Sequence, residues 1–211
     1  MRRAGLAIAV FAAVFAGTSV AARPAAAGSA DELVRQARAH EASRDDDVAV
    51  RRYVEALEVD PTSADAWLGL GALRLRLTDA AEAERVYAAA LDRIPTLTRA
   101  LEGRAHARWT LGKHADAESD LARYAEAEDD PAAWRELATW YGADGRTPAQ
   151  LAVWRRLLVL ARHAEDAALE REARRMVRAL LVVVDGADPA ASPVDPDTTR
   201  RALRSIALRA G

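Results

Sequence analysis

Apolar positions return along this chain at a fixed interval. Moving the stretch 64–97 back by 34 residues sets Ala49 under Ala83, Tyr53 under Tyr87, Ala56 under Ala90, Leu57 under Leu91 and Pro61 under Pro95, without a gap. Moving it forward by the same step sets Leu101 under Trp67, Ala105 under Gly71, Leu111 under Leu77, Ala117 under Ala83 and Leu121 under Tyr87. One residue earlier than the period requires, Trp134, Leu137, Ala138, Tyr141 and Gly145 restart the pattern, and Trp154 falls where its second aromatic belongs. The pattern predicts four helix pairs, near 30–63, 64–97, 98–130 and 131–164. Beyond them Leu169, Ala173, Met176, Val177, Leu180, Leu181 and Val184 share one helix face over 166–185. The run 180–184, "LLVVV", taken alone is also compatible with a buried strand, but the stripe leading into it favours a helix that stops at Gly186.

A small residue opposite another small residue, with aromatics on either side, is a helix-crossing pattern. Gly71 and Ala83 let two helix axes approach to the usual ~8 to 10 Å, and Trp67 and Tyr87 fill the space beside them. Pro61 and Pro95 lack the amide hydrogen needed inside a helix and mark helix ends. The interval and these residue types resemble the tetratricopeptide repeat, in which Trp, Leu, Gly and Tyr on one helix meet Ala, an aromatic and Ala on the next, followed by Pro. The stretch 64–97 carries Trp67, Leu70, Gly71, Ala83, Tyr87, Ala90 and Pro95, with Arg74 at the family's Tyr position. The stretch 30–63 matches on its second helix only, and 98–130 departs at Arg104, Arg108, Tyr124 and Asp129. The resemblance implies an all-α, right-handed superhelical array of about four helix pairs, spanning 28–164.

Two C-terminal helices, within 165–211, are expected to cap the array. The second starts at Asp195-Pro196-Asp197, where Asp suits the cap and Pro the first turn, and runs to about Arg209 with Ala202, Leu203, Ile206 and Ala207 on one side. It fits a terminal cap or an arm that docks on a partner. At the other end, Arg2 and Arg3 precede an uncharged stretch from Leu6 to Ala22, followed by small residues. That is the order of a secretory signal peptide over 1–27, cut after Ala27 or after Ala21. An uncleaved membrane anchor is the alternative. The expected location is therefore outside the cytoplasm, periplasmic or at the cell surface.

Charge and composition narrow the function. Thirty basic residues against 32 acidic ones give a net charge of -2, no field that gathers nucleic acid or holds an anionic membrane. Membrane contact is expected only through an uncleaved N-terminus. There is no cysteine, which removes disulfides, thiolate metal sites and cysteine nucleophiles. His40, His106, His114 and His163 lie apart, none in the spacing that puts two ligands on one helix face. The acidic runs 45–47 and 128–130 read as solvated turns. No Gly-rich phosphate loop, nucleophile elbow or Ser/His/Asp motif occurs, so neither catalysis, cofactor nor metal is expected.

What remains is a groove. The resemblance implies that the first helices line a concave face, and its ligand-facing positions fall here on Arg38, Leu68, Arg99, Glu102, His106, Trp109, Arg135 and Thr139. Trp109 lies one turn from His106 and off the packing positions Leu101, Ala105 and Leu111; it is either an interface anchor or a packing residue on the neighbouring helix. The family's clamp for C-terminal carboxylates is not reproduced, since Val34, Arg38, Gly69, Arg99 and Gly103 stand at its positions and only Arg99 offers a suitable cation. The expected function is a non-catalytic envelope scaffold that binds an extended peptide or partner protein. A subunit that self-associates through the C-terminal helices is the rival, and a small-ligand carrier or enzyme a more distant one.

Overall fold

The computed structural model describes residues 28–185. The N-terminal segment and the helix expected from 195 onward lie outside these residues. Among the described residues the chain is helical throughout, with no strand. Its elements are α1 (Ala30–Ala42), α2 (Asp46–Val59), α3 (Ala64–Arg76), α4 (Ala80–Arg93), α5 (Thr98–Thr110), α6 (His114–Glu128), α7 (Pro131–Ala143), α8 (Thr147–His163) and α9 (Ala167–Asp185). Four helix pairs thus fall where the 34-residue pattern placed them, and "LLVVV" is helical, as its apolar stripe predicts. The acidic run near 45 is not only turn, because Asp46 and Asp47 occupy the first turn of α2, where the helix dipole favours negative charge. By contact the chain forms two compact bodies, one ending at Leu73 and the other beginning at Arg74.

Each pair turns in the same way. Arg44, Thr78, Gly112 and Gly145 have φ of 62°, 60°, 74° and 67°. The amide following each, on Asp45, Asp79, Lys113 and Arg146, donates to the carbonyl of His40, Arg74, Arg108 and Tyr141 at 2.8 to 2.9 Å. This left-handed cap occupies carbonyls that the helix end leaves bare. Glycine adopts it freely, whereas an L residue is strained by about 1 kcal/mol or more, and β-branched Thr78 most of all. Thr78→Gly is therefore expected to raise the unfolding free energy by about 0.5 to 1 kcal/mol after the entropy of the added glycine, read from urea denaturation.

Glycine has a second use in each body. A Cβ on Gly69 would sit 2.6 Å from the Tyr53 hydroxyl oxygen, and one on Gly103 would sit 2.6 Å from Tyr87 Cε2. The tyrosine of one pair thus lies flat on the bare backbone of the next first helix. The third pair has Leu121 at the tyrosine position and the fourth has Glu136 at the glycine position, so the two requirements disappear together.

The core of the second body runs through Leu121, Trp134, Leu137, Tyr141, Leu157 and Leu158, and α9 closes onto it with Leu169, Ala173, Val177 and Leu181. The third pair departs from the repeat pattern because it buries charge. Asp120 is 2% exposed. It accepts from Arg104 Nε at 2.7 Å and Nη2 at 2.8 Å, and from Arg108 Nη1 at 2.7 Å. Arg108 Nε also donates to Glu84 at 3.0 Å, as does the Lys113 ammonium at 2.6 Å. Burial pushes the Glu84 carboxyl up, but the hydrogen bonds from Lys113 and Arg108 outweigh it and hold the group below the usual carboxylate range. One ion network therefore ties α4, α5 and α6 together.

Candidate interaction surface on the first helices

In the second body the leading helices α5, α7 and α9 are joined edge to edge by side chains rather than by backbone. Trp109 of α5 stacks on Trp140 of α7, with ring centroids 4.1 Å apart and planes 13° from parallel. His106 meets the edge of Trp140 at 6.2 Å, and its Nδ1 lies 3.4 Å from Glu136 Oε1. From α7, Arg135 reaches α9 and donates to Glu172 Oε2 at 2.6 Å through Nη2 and 3.2 Å through Nε. These contacts make a continuous polar and aromatic surface over three rigid helices, with the apolar stripes of the same helices turned inward.

Six of the eight sequence-derived positions lie on it. Arg99 and Thr139 are exposed, while Glu102, His106, Trp109 and Arg135 are half-buried. Thr139 bonds only to the Arg135 carbonyl, at 3.0 Å. Burial raises the Glu102 carboxyl above its ordinary range; His106 and Arg99 draw it back, and Asp130 and Glu136 push it further up. The remaining two positions belong to the first body, where Arg38 lies 3.2 Å from Asp65 with both side chains exposed and Leu68 is half-buried.

Trp109 is not a free anchor. One face stacks on Trp140, and the His114 ring lies 4.2 Å away, tilted by 31°, so the indole is packed between two rings and against the core. Of the two alternatives for this residue, packing on the neighbouring helix describes its position. Trp109→Ala is accordingly expected to cost about 2 kcal/mol of stability, below the ~3 to 5 typical of a fully buried Trp, with a visible drop in melting temperature. Arg135 likewise holds α9, a role outside the repeat pattern. The structure adds Glu136 and Glu172 to the surface, with Trp140, 7% exposed, buried beneath it. Trp109 and Trp140 are indoles near the C-terminal ends of successive first helices, and that coincidence was the available signal.

Among the described residues no group of three or more His, Cys, Asp or Glu side chains is placed to hold a metal ion, and no helix is long and apolar enough to cross a membrane.

No family model matches the chain, and no curated protein matches it. Solved structures do. A MamA fragment from Desulfovibrio magneticus RS-1 is 16% identical with a TM-score of 0.58, over 87% of this chain and 98% of that one. YrrB, described as a tetratricopeptide protein with an unusual peptide-binding site, is 17% identical with a TM-score of 0.55, over 84% of this chain and 89% of that one. The first tetratricopeptide domain of Spaghetti (RPAP3), bound to an HSP90 peptide, is 24% identical with a TM-score of 0.53, over 56% of this chain and 95% of that one.

Proposed function

From a chain with the tetratricopeptide-repeat fold, we propose a non-catalytic scaffold that binds an extended segment of a partner protein across the first helices of the second body. The observation that carries this reading is the surface itself: polar and aromatic groups continuous over α5, α7 and α9, fixed by Trp109–Trp140 and Arg135–Glu172, with Arg99 and Thr139 left exposed beside Glu102 and His106. Rigid helices lower the ordering cost of binding, and a peptide laid across them meets side chains from three elements at once. That YrrB has a peptide-binding site and the RPAP3 domain holds an HSP90 peptide is consistent with this use of the fold. The N-terminal order of Arg2, Arg3 and an uncharged stretch supports an exported protein with an envelope partner.

The test avoids the two residues that the structure puts to packing use. Peptides selected on the full chain from a random display library are titrated against Arg99→Ala with Thr139→Ala, and against Asp92→Ala with Arg93→Ala on α4. The first variant is expected to weaken binding about tenfold, or ~1.4 kcal/mol, with unchanged helical signal, and the second to bind like the parent. Loss of binding in the α4 variant alone would move the site to the second helices.

A further inference from the structure

The outward face of α9 carries charge that pairs with none of the described residues. Arg171, Arg175 and Arg178 follow one another at steps of four and three residues, and Val182 continues the line four residues on. These positions share a stripe roughly 16 Å long. All four are exposed, and among the described residues none of the three arginines has an ion-pair partner. The acids that would neutralise them point elsewhere. Glu170 accepts from Arg162 of α8 at 3.1 Å and from Arg174 at 2.8 Å, and Glu172 is taken by Arg135 of α7. At the end of the stripe Val182 and Val183 are 48% and 70% exposed, the latter the most solvent-exposed of the large apolar side chains described.

A net charge of -2 for the whole chain conceals this segregation, because long-range balance does not cancel a local patch beyond a Debye length of about 8 Å at physiological salt. A helix buried along one side, basic along the other and apolar at its exposed end has the distribution of helices that lie in the interface of an anionic bilayer. We propose that this face of α9 docks on an anionic lipid surface, with Arg171, Arg175 and Arg178 among the phosphate headgroups and Val182 and Val183 at the acyl boundary. Guanidinium groups pair with phosphate oxygens in a planar, bidentate manner. A row of them without a pocket suits a surface of repeated headgroups. An acidic protein would match the arginines but leave the two valines in water. The stripe lies on α9 beside Glu172 of the peptide surface but shares no residue with it, and its test does not depend on that reading.

The chain has no cysteine, so an environment-sensitive fluorophore placed at Val183→Cys reports this position alone, whatever the N-terminal segment does. With the full chain and vesicles of phosphatidylglycerol mixed with phosphatidylcholine, the expected result is a blue shift and increased emission. Pure phosphatidylcholine should give none, and a label at Val59→Cys should not respond. Arg171→Gln, Arg175→Gln and Arg178→Gln together should weaken the titration by roughly a hundredfold, at about fivefold per arginine, while circular dichroism confirms an unchanged helical chain. An equal response to both vesicles, a response unaffected by the three substitutions, or a response to poly-glutamate with none to vesicles would each overturn the proposal, the last in favour of an acidic protein.

Discussion

Asp120→Ala is expected to lower the unfolding free energy by about 3 kcal/mol, the lower end of the range for removing one partner from a buried ion pair, because Arg104 and Arg108 keep 15% and 20% of their side-chain exposure. Alanine leaves two guanidinium groups facing each other across the space of a lost carboxylate, and one of them, Arg108, is tethered to Glu84 and cannot swing away. Urea denaturation of the full chain reads the loss. The network also has an acid limit. Since Glu84 is held below its usual range, its contribution is complete above the ordinary carboxylate pKa and fades as pH falls through the folded value. The parent should thus lose part of its stability below about pH 4, a loss that Glu84→Gln should not show. An Asp120→Ala variant as stable as the parent at pH 7 would mean that the network is not formed.

Gly103→Leu is expected to cost about 3 kcal/mol, the upper part of the range for forcing methylenes into a filled site, despite leucine's better helix propensity. The Tyr87 ring occupies the place of any side chain at this position, and Tyr87 is itself buried. Combining the change with Tyr87→Leu should recover more than the sum of the single effects allows, since Leu121 and Glu136 form that smaller-with-larger combination further along. Additive losses would show that the ring and the helix backbone do not meet.

The four helix pairs were legible from the 34-residue return of small and aromatic positions together with Pro61 and Pro95, and α9 from the apolar stripe Leu169 to Val184 on one helix face. Two features were not. Gly69 and Gly103 sit one period apart, yet a glycine in a first helix reads as tolerance rather than demand until the facing tyrosine is known. Arg104, Arg108 and Asp120 look like surface charge at helical spacing; only the fold brings Asp120 of α6 against α5 with Glu84 behind it. The proposed surface takes its positions from the repeat register, which carries no information on the contacts those side chains make. Trp109 and Arg135 lie on the face to which the repeat register assigns them, and each is committed to a neighbour, Trp140 and Glu172, that no local spacing connects to it. The basic stripe of α9 was hidden by arithmetic, because whole-chain charge counts Glu170 and Glu172 against arginines that they do not face.

The central claim is that partners are held on the first helices of the second body. A photo-reactive phenylalanine analogue at Thr139 on α7, compared with one at Arg93 on α4, tests it directly in cells that express the full chain, since both positions are exposed. Irradiation is predicted to join the Thr139 variant to a discrete partner protein and to leave the Arg93 variant unjoined. An adduct formed from Arg93 and not from Thr139 would contradict the account.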